Sequence, residues 1–311
     1  MPDPPFLQAL APRRALDVAL TRLTDEPVIA LHGARSVGKS TLLSQVAAAS
    51  GGTLVDLDDL ALRDLVRIDP SAFVTGPSPV CIDDYQHAPE VLDAIKAELN
   101  RDFRPGRFVL TGSTRFEVLP RAAQSLTGRL HVFPVWPLSQ GEIEGREENL
   151  LEALLTDPGS VATSSTTALD KAGYLDRVIA GGMPVPLSRK TAAARNRWFD
   201  DYVRLVIGRD IREVSRAREL AQLDQLLRHL AGQTAQVLNV TKAAAGLGID
   251  RTTAAGYVRL LESASHPHRA DLDAGLNGWL PQSSSSRTGS RSPASIVRLV
   301  PVQDFLPWPL P

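Results

Sequence analysis

A single cysteine, Cys81, in 311 residues excludes an internal disulfide framework and any zinc site built from thiolates. A reducing compartment is therefore expected. Net charge is only −1, so no general positive field draws the chain to nucleic acid, and a DNA contact would need a local patch. Long apolar runs are also absent, each being cut by Arg or Asp, which argues against a membrane span. The start "MPDPPFLQALAPRRALDVAL" lacks a basic leader, an apolar segment and a small-residue cleavage site. The expectation is a soluble, unexported, cytoplasmic protein without a membrane role. Histidines are few (His32, His87, His131, His229, His266 and His268), and none stands at metal-ligand spacing, so structural or exposed roles are expected. No nucleophile elbow, dinucleotide fingerprint or internal repeat stands out.

What is present is ordinary globular composition, 43% hydrophobic and 22% charged, with length for two packed domains. "ALHGARSVGKSTLL" carries the first chemistry. "PVIALHG" is an apolar run short enough for a buried strand, and "KSTLLSQVAAAS" repeats Leu42, Leu43, Val46 and Ala47 at helical spacing. Gly33, Gly38, Lys39 and Ser40 match G-x-x-x-x-G-K-S/T in the strand-to-helix context where that pattern is meaningful. The loop from Gly33 through Ala34, Arg35, Ser36, Val37, Gly38, Lys39, Ser40 and Thr41 is the nucleotide-binding candidate. Glycines let backbone N–H groups converge on phosphates, and the helix start adds partial positive charge. Lys39 would reach the β- and γ-phosphates, and the Ser40 hydroxyl would ligate Mg²⁺.

Such a loop needs an acidic residue at the end of a neighbouring strand. In "SPVCIDDYQH", Val80, Cys81 and Ile82 predict a short strand with Asp83 and Asp84 at its carboxyl end. Asp83 is the Mg²⁺ partner candidate and Asp84 the base that orients water. "RFVLTGSTRF" predicts another strand, after which Thr111 or Ser113 would sense the γ-phosphate or hold the water. With "GTLVDLDD" and "RLHVFPVWPL", these strands alternate with helical stretches such as Ala88 to Leu99 and Arg115 to Ser125. That alternation predicts an α/β fold, a parallel sheet with helices on both faces, its ligand beyond the carboxyl ends of the strands.

Further on, "EGREENLLEALLTDPGSVATSSTTALDKAGY" passes from a charged helix into a Pro-, Gly-, Ser- and Thr-rich linker. Gly181 and Gly182 before Pro184 mark a turn. Lys190 to Val214 reads as one long helix with Trp198, Tyr202, Leu205 and Val206 on its apolar side. "VTKAAAGLGIDRTTAAGYVRLLE" has the form of a helix-turn-helix: Val240, Ala244 and Leu247 buried, Gly248 breaking, Asp250 capping, then Ala254, Val258 and Leu261. A DNA reader of this form would use Arg251 and Thr252, with Arg259 toward a phosphate. Two arginines are few, and packing or protein contact is the competing use. DNA retention that depends on salt and on Arg251 would identify a reader.

In matching order, "LHGARSVGKSTLL", "CIDDYQHAPEVLDAIK", "FVLTGS", "SLTGRLHVFPVWPLSQGE", "YLDRVIAGGMPVP", "RDI" and the helix-turn-helix stretch resemble the prokaryotic AAA-like ATP-binding proteins with a C-terminal domain of unknown function. The resemblance covers about Ala15 to Glu262. It implies a P-loop ATPase core followed by an all-α, winged-helix-like region. It also implies ATP rather than GTP, no N-K-x-D guanine motif being evident. Arginine-finger candidates, from the same or a neighbouring subunit of a homo-oligomer, are Arg129 and Arg209, each in a stretch shared with the family. Members usually carry Asp-Glu where this chain has Asp83-Asp84, which predicts slower hydrolysis with binding intact. They also continue into a nuclease-like segment, whereas here "QSSSSRTGSRSP" approaches low complexity. The expected organisation is a core over 1–157, a linker over 158–169, a helical and winged-helix-like domain over 170–262 and an irregular, frame-shifted tail over 263–311. Translating the other reading frames tests the last point. The expected activity is Mg²⁺-dependent ATP hydrolysis. The rivals are a nucleotide-switched DNA-binding regulator and an interaction protein that holds ATP without turnover.

Overall fold

The computed structural model describes residues 11–112, 126–163, 169–210, 220–233 and 238–265. Five strands, β1 (Val28–His32), β2 (Thr53–Asp56), β3 (Val80–Asp83), β4 (Phe108–Thr111) and β5 (Leu130–Pro134), form one parallel sheet in the order β2-β3-β4-β1-β5. Val28 to Leu31 of β1 are all buried. An unbroken apolar run is what a strand covered on both faces requires.

Successive side chains alternate between the faces, and the core divides accordingly. Val28, Val80, Ile82, Phe108 and Leu110 join Val66 of α3 (Leu60–Ile68) and Leu92, Ile95 and Leu99 of α4 (Val91–Arg101). On the other face, Ile29, Leu31, Cys81, Val109 and Phe133 meet Ala19 of α1 (Arg14–Arg22) and Leu42, Leu43 and Val46 of α2 (Lys39–Ser50). Each large side chain removed from water here contributes about 1.5–3 kcal/mol relative to exposure. Helices thus cover both faces, as the alternation of elements predicts.

Parallel strands place all their carboxyl ends at one edge. Leu31 pairs with Thr111 and Leu110 with Ile82, so Asp83 comes level with Thr111, just short of the loop that opens at Gly33. The amino edge carries different chemistry. Arg107, before β4, is 6% exposed and bridges Glu98 at 2.9 Å and Asp102 at 2.6 Å, with its guanidinium carbon 5.4 Å from the centre of the Phe108 ring. Arg129, before β5, donates to Asn100 Oδ1 at 2.7 Å and lies 6.0 Å from the Phe103 ring.

After β5 come α5 (Gln140–Glu144), α6 (Leu150–Thr156), α7 (Pro158–Thr163), α8 (Lys171–Ala180), α9 (Pro184–Leu187) and α10 (Ala192–Leu205). Ser139 and Glu142 form a reciprocal cap on α5. The stretch expected as linker begins with α7 instead, since proline at a first helical position loses no hydrogen bond that the helix needs. Residues 164–168 and the expected helix over 115–125 lie outside the described residues.

The chain divides into two compact units between Phe199 and Asp200. The long helix expected to Val214 is α10, followed by a π-helical turn, Val206–Asp210. Its buried residues are Phe199, Tyr202, Val203 and Val206, whereas Leu205 is 56% exposed. Spacings of three and four residues put 199, 202, 203 and 206 on one face and turn 205 away. In the second unit α11 (Leu220–Ala231), α12 (Val240–Leu247) and α13 (Arg251–Ser265) pack around Leu223, Leu226, Ala243, Ala244, Ala254, Val258 and Leu261. Gly248 ends α12 at φ 66°, and Asp250 Oδ1 caps α13 by accepting from the Thr252 and Thr253 amides at 2.8 and 2.9 Å. The Thr253 hydroxyl also donates to Asp250, and these bonds hold its carboxyl below the usual range. Among the described residues no strand follows Pro134, so the helices carry no wing there. The tail over 266–311 lies outside the described residues.

Candidate nucleotide-binding site

The loop from Gly33 to Gly38 leaves β1 and enters α2 at Lys39. Two positions in it require unusual backbone: Ser36 at φ 62° and Gly38 at φ 97°. At Gly33 a Cβ would stand 2.2 Å from the Val135 carbonyl oxygen, so only glycine lets β1 and the segment after β5 approach this closely. Lys39 is 8% exposed, and its ammonium donates to the Gly33 and Ala34 carbonyls at 3.0 Å each. The cation is therefore folded over the loop it would share with a phosphate. Ser40 and Thr41, in the first turn of α2, are exposed, and Arg35, Ser36 and Val37 complete the turn.

Opposite the loop stands the acidic end of β3. α2, which the loop opens into, packs on both β3 and β4. Thr111, fully buried, donates its hydroxyl to Asp83 Oδ1 and accepts the Asp84 amide at 3.2 Å. The Thr111 hydroxyl thus positions the two aspartates, a use that reading it as a phosphate sensor did not foresee. Asp84 sits in left-handed backbone at φ 49°, and its Oδ1 accepts from Gln86 Nε2 at 2.8 Å. Gln86 was not singled out from sequence. The one-turn helix Tyr85–His87 follows directly on Asp84, and Gln86 bonds back to it. Gly112 makes room for it, since a Cβ there would stand 2.8 Å from the Tyr85 ring and 2.9 Å from Gln86 Oε1. Burial pushes the Tyr85 phenol up.

A rim forms around the loop from distant segments of the first unit. Pro184 packs beside Gly38, and the Gly182 carbonyl accepts from the Leu138 amide at 2.8 Å. Arg13 donates to the Trp136 carbonyl at 2.7 Å and lies 3.8 Å from Glu142, which also accepts the Arg14 amide at 2.9 Å. Burial lowers the Arg13 pKa, and Glu142 opposes the shift. The Gly181-Gly182-Met183-Pro184 turn read from sequence is thus part of the wall of the phosphate loop.

The arginine candidates fare differently. Arg129 precedes Leu130, which pairs with Val28 at the far end of β1. The loop begins five residues later, roughly 16 Å along the strand at ~3.3 Å per residue, so Arg129 does not reach the loop of its own chain. That corrects the same-subunit reading. The side chains of Ser113 and Arg209 lie outside the described residues. Arg251, Thr252 and Arg259 are exposed on α13, in the second unit.

Ser40 and Asp83 supply hydroxyl and carboxylate oxygens, the donor set that suits a hard dication such as Mg²⁺. Among the described residues no helix is long and apolar enough to cross a membrane.

Sequence comparison agrees with this geometry. Residues 25–144 match the AAA domain family, and residues 171–271 match a domain of unknown function, DUF8612. The chain is 25% identical over 241 residues to uncharacterized protein Rv2008c of Mycobacterium tuberculosis (strain ATCC 25618 / H37Rv) and to uncharacterized protein Mb2031c of Mycobacterium bovis (strain ATCC BAA-935 / AF2122/97). Each match covers 76% of this chain and 48% of the relative, so the chain spans about half the length of these curated relatives. Among solved structures, the Walker-type ATPase PABY2304 of Pyrococcus abyssi is similar with a TM-score of 0.47 and 16% identity, over 83% of this chain and 90% of that one. The parallel sheet, the glycine loop entering α2 and the two matched domains together make this chain an AAA-type P-loop ATPase fold followed by a DUF8612 domain.

Proposed function

We propose that the chain is a cytoplasmic ATP-binding protein that hydrolyses ATP with Mg²⁺ and couples nucleotide state to its helical C-terminal domain. The observation that carries this reading is Lys39 resting 3.0 Å from two loop carbonyls, at the sheet edge where Thr111 fixes Asp83 and Asp84. On nucleotide binding the ammonium exchanges those carbonyls for β- and γ-phosphate oxygens, while loop amides and the α2 amino end hold the remaining charge. Ser40 and Asp83 would hold Mg²⁺, which supplies charge neutralisation across the β- and γ-phosphates when bound. Asp84 orients the water in line with the γ-phosphorus. The bond from that phosphorus to the β–γ bridging oxygen breaks as the water oxygen bonds, and ADP leaves. Gln86 fixes one Asp84 oxygen, leaving the other for the water. Arg129 would act on the loop of a neighbouring copy, since its place before β5 puts it out of reach of its own.

Steady-state phosphate release beside a calorimetric MgATP titration tests the reading. Lys39→Ala should lower turnover on the order of 100-fold or more, the scale of losing one preorganised charge contact. Undiminished hydrolysis by the purified variant refutes the assignment. MgATP binding by the wild type without phosphate release would identify a protein that holds nucleotide without turnover.

A further inference from the structure

Beyond the carboxyl ends of β2 and β3, the fold brings Asp58 to Asp84 and His87, a pair three residues apart in the chain. Asp58 comes from the turn after β2, Asp84 follows β3, and His87 closes the one-turn helix. One ligand atom from each lies within 4.8 Å of the others. His87 Nε2 is 3.3 Å from Asp58 Oδ1. Each backbone is anchored separately: the Asp58 amide donates to Asp56 at 2.9 Å, the Asp84 amide to Thr111, and the His87 amide to the Asp84 carbonyl at 2.9 Å. The His87 carbonyl accepts Arg67 Nη2 at 2.8 Å, and Arg63 Nε donates to the Leu57 carbonyl at 2.8 Å, so both α3 arginines make hydrogen bonds to backbone beside the cluster.

We propose that Asp58, Asp84 and His87 form a site for a transition-metal dication of the zinc or manganese type, whose occupation withdraws Asp84 from the attacking water. The binding half stands by itself, and the inhibitory half rests on the hydrolysis reading above. An imidazole beside two carboxylates selects such ions over Mg²⁺, which Ser40 and Asp83 suit better. Metal–ligand bonds of ~2.1 Å in a tetrahedral arrangement put ligand atoms about 3.4 Å apart, and the His87–Asp58 pair already stands at that spacing. Asp84 completes the set from within 4.8 Å of both. The Asp58 and His87 side chains are 67% and 32% exposed, so an ion can enter from solvent and a fourth position stays open to water. A carboxylate bonded to the ion no longer attracts the proton of the attacking water. Occupied, the site would lower turnover without touching the phosphate loop.

ZnCl₂ titrated calorimetrically into the nucleotide-free full chain tests binding, with MnCl₂ followed by electron paramagnetic resonance as the second probe. Wild type should bind one equivalent more than His87→Ala, and Asp58→Asn should weaken that equivalent about tenfold or more. Identical titrations in wild type and both variants overturn the site. Asp58 is exposed, so Asp58→Asn keeps the test informative if His87→Ala fails to fold. In phosphate release, ZnCl₂ should inhibit wild type at concentrations about tenfold below those needed for Asp58→Asn, with equal rates when zinc is absent. Binding without inhibition overturns the second half alone. A chain that never hydrolyses ATP still answers the titration, so the two readings fail separately.

Discussion

The two edges of one sheet use charge in opposite ways. At the amino edge, Arg107 is buried between Glu98 and Asp102 and lies over Phe108, each partner a side chain of the same chain. At the carboxyl edge, Lys39 rests on backbone carbonyls, and Asp83 and Asp84 are held by a threonine hydroxyl and a glutamine amide. A hydroxyl or amide dipole orients the Asp83 and Asp84 carboxylates without neutralising them, so their charge stays available to a metal-bound triphosphate. A guanidinium shared by two carboxylates has its charge already compensated. The same residue types therefore stabilise at one edge and are poised for a ligand at the other.

Arg129 is the exception at the amino edge, because it meets a neutral amide, Asn100, and the Phe103 ring. If it serves a neighbouring loop, Arg129→Ala should cut turnover on the order of 10³-fold with MgATP affinity unchanged. Mixing it with Lys39→Ala should restore part of the rate, since one variant keeps the loop and the other the arginine. A mixture as inactive as its components, or full activity in Arg129→Ala alone, would make both edges of the sheet structural except for the loop. Arg107→Ala should do the reverse. Removing the guanidinium leaves Glu98 and Asp102 without their shared partner, and with Asp102 partly solvated the cost is about 2 kcal/mol. Thermal unfolding should shift down about 4–8 °C while MgATP affinity holds.

The smallest effect concerns Cys81, in β3 between the two edges, whose thiol burial pushes up to about 12. A disulfide reagent at pH 8.5 should leave the folded protein unmodified and react on unfolding in denaturant. As pH rises above the ordinary thiol value of 9.0, the unfolded chain releases a proton that the folded chain keeps. Stability from this group should therefore begin to fall above pH 9, a small change over the first pH unit. Rapid labelling of the native protein would show that the face carrying Ile29 and Cys81 opens readily.

Much of the first unit was legible because its signals are short. Apolar runs between turn residues predict β1, β3 and β4, and the glycine loop is recognisable from nine consecutive positions. Leu205 faces away because the buried face runs through Phe199, Tyr202, Val203 and Val206, centred one position on from a face that starts at Trp198. Gln86 carries no pattern that marks it, and the Ser139-x-x-Glu142 spacing marks Glu142 only as a helix cap. Each matters through a neighbour, Asp84 in one case and Arg13 with Arg14 in the other. Residues 158–163 read as linker because composition weighs Pro, Gly, Ser and Thr together, while a proline at the first position of a helix costs it nothing.

By itself, the sequence determined the phosphate loop, the strand endings that carry Asp83 and Thr111, and the cap of α13, because each depends on backbone geometry and hydrogen bonds within a few residues. Tertiary structure alone decided that Arg129 lies at the edge opposite its own loop, and that Pro184 and Val135 stand against that loop. It also decided that Asp58 meets Asp84 and His87, which lie three residues apart in the chain. Strand order and crossover direction set those encounters, and they are fixed by how two apolar faces pack as a whole, not by any one stretch of residues.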